Sequence, residues 1–278
     1  MPPFFCFRGS RRMLRAVSAL LLVCLLACRI GTEPDGILPE RIVHGGGILW
    51  EVDSGGCYRA FAGSNSREAL VRCAENGVNY AELDFSMTED GELVCIHGWS
   101  REYIGGITED APLSLDAFRQ SRIYGCFTPL TAGEAAEILD KNGMTLVADI
   151  KGDFDSCAAR LAEVCGDMLD RVVIQIFRQE QYETAASLGF SRIAYTLYRL
   201  GWDEKLDADA HISFAREKSV EWIAFSDELI SNSVFLGKML LSGVPLYVHT
   251  VNDEKTVYDL LDIGITGVYT DYINGKQK

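Results

Sequence analysis

The sequence lacks the features that mark several common classes of protein. It holds no CxxC pair and no group of cysteines and histidines at the spacing of zinc ligands, although it has nine cysteines. It also contains no internal repeat and no low-complexity tract. Basic residues are in deficit, with 26 lysines and arginines against 40 acidic residues and a net charge of −14. Because nucleic acids are bound by clustered basic side chains, this balance argues against a nucleic-acid-binding protein.

The apolar run near the start of the chain is too short to span a membrane. Residues 16–27 form twelve uncharged positions, whereas a transmembrane helix needs about 20. Four arginines precede the run, and its end, LLAC at 25–28, resembles the lipobox of bacterial lipoproteins. This pattern predicts a lipoprotein-type signal peptide over residues 1–28, export to the cell envelope and membrane contact through a lipid on Cys28. An uncleaved anchor is the alternative. Removal of residues 1–28 would leave 22 basic against 40 acidic residues, a net charge of −18.

Beyond residue 40, short β-branched runs alternate with helical patterns. The runs predict strands at 41–46, 80–85, 145–151, 171–177, 192–198, 222–227, 245–251 and 267–272. A further short strand at 92–97 follows the turn TEDGE, and Thr131 with Glu134 has the pattern of a helix capping box. Eight strands alternating with helices predict an α/β protein, a (β/α)₈ TIM barrel over residues 29–278, with a small insertion at 98–130 after the second strand. A doubly wound open sheet is the structural alternative.

Polar side chains follow the predicted strands at the ends where barrel enzymes place their active sites. They are His44, Glu82, Asp84, His97, Asp149, Lys151, Gln175, Tyr195, His249 and Asp271. Residues i and i+2 of a strand share a face, so Glu82 and Asp84 are expected to point into the barrel together. With Asp149 they form a buried acidic group that needs a compensating charge. A hard divalent cation, Ca²⁺ or Mg²⁺, supplies it through oxygen ligands.

The histidines suggest proton transfer near neutral pH. His44 and His97 flank the predicted metal group and can divide the roles of general acid and base. Gly45 opens a glycine run that lets the backbone approach a ligand, and Lys151 can neutralise charge on a phosphoryl oxygen. No serine or cysteine stands in a nucleophilic arrangement. His211 falls on a predicted helix outside the barrel, where we expect a surface residue.

Six segments, in this order, resemble the glycerophosphodiester phosphodiesterase family. They are VHGGG at 43–47, NSREAL at 65–70, ELDFSMTEDGELVCIHGW at 82–99, ADIK at 148–151, YVHTVND at 247–253 and VYTDY at 268–272. The resemblance implies a (β/α)₈ barrel that cleaves phosphodiesters with a divalent metal, the substrate's own glycerol hydroxyl attacking phosphorus. It implies the following roles: His44 and His97 as acid and base, Glu82, Asp84 and Asp149 as metal ligands, and Lys151 as a phosphate contact. Gly45 and Trp99 complete the expected substrate-binding set.

Three positions depart from the family pattern. Gly45 stands where the family has arginine, Gly98 where it has aspartate, and Asp149 where it has the longer glutamate. The short motifs HG at 97–98 and DIK at 149–151 instead resemble the sphingomyelinase D branch of the same superfamily. The first hypothesis is therefore a metal-dependent phosphodiesterase that releases glycerol 3-phosphate from a small phosphodiester or a lipid headgroup.

Two further hypotheses stay open at this point. One is a lysophospholipid or sphingolipid phosphodiesterase that releases a cyclic phosphate. The other is a surface binding protein whose catalysis has decayed. The sequence leaves open the alcohol released, the choice between Ca²⁺ and Mg²⁺, the disulfide pairing and the oligomeric state.

Overall fold

The computed structural model describes residues 38–52, 56–105, 107 and 109–273. The predicted signal peptide and Cys28 lie outside these residues. Within the part of the chain that is described, no helix is both long enough and apolar enough to cross a membrane.

Eight parallel strands form a closed barrel. In chain order they are β1 Arg41–Val43, β2 Tyr80–Met87, β3 Thr145–Ile150, β4 Val172–Ile176, β5 Arg192–Thr196, β6 Trp222–Ser226, β7 Leu246–His249 and β8 Gly267–Thr270. Each strand pairs with its neighbours in sequence, and β1 pairs with both β8 and β2, which closes the sheet. The predicted (β/α)₈ TIM barrel and all eight predicted strands are confirmed, and most strands end a few residues earlier than predicted.

The helices of the described residues cover the outside of the barrel, apart from one that belongs to the insertion. They are α1 Arg67–Glu75, α2 Leu115–Gln120, α3 Ala132–Lys141, α4 Phe154–Cys165, α5 Gln181–Ser187, α6 Trp202–Lys205, α7 Ala208–Lys218, α8 Ser233–Leu241 and α9 Glu254–Asp262. The predicted capping box begins α3, since the Glu134 N–H donates to Thr131 Oγ1 at 3.2 Å and the Thr131 N–H donates to Glu134 Oε2 at 3.0 Å. This reciprocal pair satisfies backbone donors that a helix start leaves without partners.

The barrel interior changes from apolar to polar along the strands. Its lower layers are Ile42, Val147, Val173, Ala194, Trp222, Ala224, Tyr247 and Tyr269. Two residues further along several strands, on the same inward face, stand polar side chains such as Glu82, Asp149, Gln175 and Thr196. The apolar layers therefore support a polar layer at the carboxyl ends of the strands.

Two additions stand above the barrel. The first is the predicted insertion at 98–130, which follows the short antiparallel strand Leu93–Cys95 and contains α2 and the two-stranded sheet Ile104–Gly105 with Arg122–Ile123. The second, a hairpin of Leu49–Val52 with Tyr58–Phe61 in the loop between β1 and α1, did not follow from the sequence reasoning.

One strand-end candidate points away from the barrel interior, and one expectation about burial was wrong. Tyr195 precedes Thr196 on β5, and the alternation of the strand turns its ring outward against His211 of α7, at 5.5 Å between ring centroids. His211 is buried rather than on the surface, because α7 packs this face on the barrel. Its Nε2–H donates to the Glu204 carbonyl at 2.9 Å.

Candidate active site

A cavity of about 190 Å³ opens at the carboxyl ends of the barrel strands. Four residues singled out from the sequence for catalysis or binding line it: His44, Glu82, Asp149 and Lys151. The other lining residues are Gln175, Thr196, Tyr198, His249, Thr250 and Tyr269. The barrel topology thus brings together side chains at the ends of β1, β2 and β3 that together span more than 100 residues of sequence.

Three carboxylates form an acidic group at this cavity, and two of them, Glu82 and Asp149, line it. Glu82 and Asp84 share the inward face of β2, and Asp149 lies directly opposite Asp84 on β3. All three side chains are buried, and one oxygen of each lies within 4.8 Å of the others. Burial, and then the charge of Asp84, raises the pKa of Glu82 well above its usual range. Burial also raises the pKa of Asp149. The ionised carboxylates therefore repel one another unless a cation balances their charge.

Lys151 provides part of the missing positive charge. Its Nζ lies 3.0 Å from Asp84 Oδ1 and 3.0 Å from Asp149 Oδ2, and it donates to the Tyr198 hydroxyl at 3.1 Å. Burial alone would lower the pKa of Lys151, but the charges of Asp84 and Asp149 outweigh burial and raise it. The lysine therefore stays protonated. Arg199 Nη2 adds a second positive charge, 3.4 Å from Asp149 Oδ1. Two side-chain cations against three ionised carboxylates still leave negative charge, which a bound divalent ion would offset.

The carboxylates fit such an ion in their chemistry as well as in their charge. Asp84 Oδ1 is buried and accepts no hydrogen bond from the residues described, since its contact with Lys151 lacks hydrogen-bonding geometry. Carboxylate oxygens are the ligands that Mg²⁺ and Ca²⁺ prefer. Glu82, Asp84 and Asp149 are thus the residues that could hold a metal ion.

Asn65 holds Asp84 in place, a role that the sequence reasoning missed. Its Nδ2 donates to Asp84 Oδ2 at 2.7 Å, and its Oδ1 accepts from the Asp84 N–H at 2.9 Å. Asn65 has a left-handed backbone, with φ at +51°, a conformation that asparagine tolerates better than most residues. The one signal available was its place in NSREAL, directly before α1.

We expect Asn65→Ala to weaken divalent metal binding by about 10- to 100-fold, because residues that orient metal ligands typically contribute this much. Calorimetric titration with Mg²⁺ and with Ca²⁺ measures the change. The matched control is Asn142→Ala, whose side chain is exposed and bonds only the Ile138 carbonyl of α3 at 2.7 Å. Equal metal affinity in the two variants would show that Asn65 does not support the site.

His44 is held by a carboxylate on the neighbouring strand end. Its Nδ1 lies 2.8 Å from Asp271 Oδ1, and Asp271 Oδ2 accepts from Asn252 Nδ2 at 2.6 Å. Burial lowers the pKa of His44, but the charge of Glu82 and the bond to Asp271 outweigh burial and raise it to about 9. With Nδ1 engaged, Nε2 is the nitrogen that can exchange a proton with a bound molecule.

Gly45 lies behind the carboxylates. Its N–H donates to Glu82 Oε2 at 2.7 Å, and its φ is +56°. A Cβ on this residue would lie 2.4 Å from the Gly63 Cα. An arginine therefore cannot occupy position 45 without displacing the Gly63 backbone, which gives the departure from the family pattern a steric reason.

Gly45→Ala should lower the free energy of unfolding by at least about 1–2 kcal/mol, the cost of a left-handed residue with a Cβ, before any displacement of Gly63. Urea unfolding followed by circular dichroism measures it. Gly133→Ala is the matched control, since a Cβ there meets nothing within 4 Å on α3, and alanine favours a helix. The steric account fails if the two variants unfold at the same urea concentration.

The remaining predicted residues lie outside this lining. His97 follows the strand Leu93–Cys95 and is exposed, and its catalytic role stays a prediction. Trp99 is half-buried above the barrel, where its Nε1–H donates to Ser86 Oγ at 3.1 Å and its ring packs on Phe118 at 5.7 Å between centroids. These contacts place Trp99 next to the inward face of β2.

Tyr198 is a further residue of the site that the sequence reasoning did not select. Its hydroxyl donates to Asp149 Oδ2 at 2.9 Å, and its ring packs on His249 at 5.6 Å between centroids. Counting in steps of two from the inward-facing Ala194 would have selected Thr196 and Tyr198 in place of Tyr195. That signal was present in the sequence and was not used.

Solved structures of other proteins share this architecture. A phosphodiesterase from Oleispira antarctica, solved with the product sn-glycerol 3-phosphate, superimposes with a TM-score of 0.64 at 20% identity, over 84% of this chain and 94% of that one. A glycerophosphodiester phosphodiesterase from Parabacteroides distasonis gives 0.60 at 19% identity, over 84% and 92%. One from Thermotoga maritima gives 0.60 at 17% identity, over 74% and 88%. The chain has the fold of the glycerophosphodiester phosphodiesterases.

Sequence comparison adds nothing to this likeness. No family model matches the chain, and no curated protein matches it. At 17–20% identity, the structural likeness confirms the expected fold over most of the chain. A shared fold does not specify the chemistry, which depends on the residues of the site.

Proposed function

We propose that this protein is a metal-dependent phosphodiesterase that hydrolyses glycerophosphodiesters to glycerol 3-phosphate and an alcohol. The observation that carries the proposal is the buried group of Glu82, Asp84 and Asp149, which faces Lys151 and His44 at the carboxyl end of a barrel. Burying three acids costs folding free energy and contributes little to packing. Their convergence therefore indicates a functional site rather than a structural element of the core.

Glu82, Asp84 and Asp149 would hold Mg²⁺ or Ca²⁺, and the bound ion would withdraw charge from a phosphoryl oxygen. Lys151 contributes a fixed ammonium on the same side, held by Asp84, Asp149 and Tyr198. Such preorganised charges stabilise the negative charge that develops during phosphoryl transfer without having to reorient.

The two histidines carry out the proton transfers of the reaction. A hydroxyl of the substrate's glycerol attacks phosphorus and loses its proton, and the oxygen of the departing alcohol gains one. His44 and His97 divide these two transfers, with Asp271 fixing the ring of His44. Intramolecular attack first forms a cyclic phosphate, which water then opens to glycerol 3-phosphate.

Phosphorus NMR tests the reaction on four substrates: glycerophosphocholine, glycerophosphoethanolamine, glycerophosphoinositol and lysophosphatidylcholine. Each is run with Mg²⁺, with Ca²⁺ and with EDTA. A metal-dependent signal for glycerol 3-phosphate is the expected result. A lasting cyclic phosphate from the lysolipid would support the sphingomyelinase D type of reaction instead. Binding of these compounds without turnover would favour a binding protein.

We also propose that the protein is exported and lipid-anchored at Cys28. The support is the arginine-rich start followed by LLAC at 25–28. Expression of the full chain and of Cys28→Ser, followed by membrane fractionation, tests it. Only the unmodified sequence should sediment with membranes.

A further inference from the structure

Two polar atoms in the cavity wall have no hydrogen-bond partner among the residues described. They are Thr196 Oγ1 and His249 Nε2, and both residues line the cavity. Each atom is itself buried, and Thr196 is 0% exposed. Buried polar atoms in native proteins are almost always paired, so two of them in one wall indicate hydrogen bonds to a bound molecule.

The ring of His249 is held in one orientation. It lies between Tyr198, at 5.6 Å and 81°, and Tyr269, at 6.2 Å and 85°, measured between ring centroids and planes. Both tyrosines are anchored in turn, since the Tyr198 hydroxyl donates to Asp149 at 2.9 Å and the Tyr269 hydroxyl donates to Gln175 Oε1 at 3.0 Å. Nε2 is therefore presented at a fixed point, as a recognition site requires.

The barrel places these two atoms across the cavity from the carboxylates. Thr196 ends β5 and His249 ends β7, and between them β6 sets Ala224 beside Thr196 and Ser226 beside His249. In a closed barrel of eight strands, β6 lies opposite β2, which carries Glu82 and Asp84. The small side chain of Ala224 leaves room above it on the inward face.

Phosphoryl transfer proceeds with the attacking and departing oxygens roughly in line. If the attacking glycerol hydroxyl lies at the carboxylates and His44, the departing alcohol points to the opposite wall, formed by Thr196 and His249. We infer that Thr196 and His249 bind the released alcohol, and that this alcohol is an uncharged polyol. The inference rests on the proposed function, since it assigns the leaving group of that reaction.

The surroundings disfavour a quaternary ammonium alcohol such as choline. A choline headgroup is bound by open aromatic faces, but the ring of Tyr198 already has Lys151 Nζ at 5.2 Å and Arg199 Cζ at 5.4 Å from its centroid. A third cation here would meet two like charges. A hydroxyl or an imidazole nitrogen, by contrast, forms directional hydrogen bonds with the hydroxyls of a polyol.

The test compares kcat/KM for glycerophosphoglycerol and glycerophosphocholine, two diesters that differ only in the alcohol released. We expect the full-length protein to prefer glycerophosphoglycerol, and Thr196→Val and His249→Phe each to lower this preference by about 10-fold, the effect of losing one hydrogen bond. Thr196→Ser, which keeps the hydroxyl, should retain the preference. Matched controls are Thr145→Val, at the far end of β3, and His211→Phe, outside the barrel.

The outcomes separate the two proposals. Turnover of both diesters with the same preference in Thr196→Val, His249→Phe and the wild type would overturn the polyol site and leave the phosphodiesterase standing. A wild type that prefers glycerophosphocholine would overturn it in favour of a choline site.

If neither diester is turned over, the proposed function fails. Calorimetric titration of both intact diesters then tests the same loss of about 10-fold, expected in the Kd for glycerophosphoglycerol. Equal Kd values in the wild type and the two variants would overturn the inference. Circular dichroism confirms that each variant is folded.

Discussion

His44→Ala is expected to lower kcat/KM for the preferred glycerophosphodiester by about 10³-fold, within the range that a positioned acid or base contributes. The reason is the geometry of the ring. Asp271 engages Nδ1 at 2.8 Å, which leaves Nε2 for proton exchange in the same cavity as the carboxylates. Initial rates by phosphorus NMR measure the loss, and thermal unfolding shows whether the fold survives. His211→Phe, a buried histidine outside the barrel, is the matched control and should keep the wild-type rate.

His97→Ala is the companion variant, with a loss of similar size expected from the family resemblance. His97 is exposed beside the barrel, so its result is the more informative of the two. A full loss would mean that His97 reaches the substrate in the complex. A wild-type rate would assign the second proton transfer to another group, and wild-type rates in both variants would refute the acid–base pair.

Asp84→Asn is expected to abolish saturable binding of Mg²⁺ and Ca²⁺, with an affinity loss of more than about 100-fold, the upper value for residues that only support a ligand. Asp84 Oδ1 is the buried carboxylate oxygen that accepts no hydrogen bond within the described ranges, and replacing the acid removes one of three charges that balance the ion. Calorimetry measures the binding independently of activity. EDTA should bring wild-type turnover to the level of the variant.

Glu163→Gln is the control for this experiment. Glu163 is an exposed acid on α4 that pairs with Arg160 at 2.9 Å, so its loss should change neither metal affinity nor rate. Full turnover in EDTA would refute the proposal that the reaction needs a bound metal ion. Lys151, which lies 3.0 Å from two of the carboxylates, and Arg199, 3.4 Å from Asp149, would then supply the positive charge of the site.

Local patterns predicted much of the fold. The alternation of β-branched runs with helical periods was sufficient to find eight strands, and the Thr131 and Glu134 pair was sufficient to find the start of α3. Both signals act over a few residues, within the reach of neighbouring side chains and backbone groups. The hairpin of Leu49–Val52 with Tyr58–Phe61 escaped prediction. Its inner residues Leu49 and Phe61 pack on the insertion, which is distant in sequence.

The errors at the site have a common physical cause. The strand-end candidates included Tyr195 but not Thr196, its neighbour on β5, and a step of one residue turns a side chain to the other face. The surface placement of His211 failed because burial depends on what packs against a helix. Asn65 escaped notice because its partner, Asp84, comes 19 residues later in the chain.

By itself, the sequence determined the eight-stranded barrel, the position of the insertion and the shared face of Glu82 and Asp84, because strand and helix periods are properties of contiguous residues. Only the tertiary structure decided which strand ends meet. It joined His44 to Asp271, Asp84 to Asn65 and Lys151 to Tyr198, and it brought Thr196 and His249 into the lining of the same cavity. These contacts depend on how the barrel closes, since closure makes neighbours of residues that no local pattern connects.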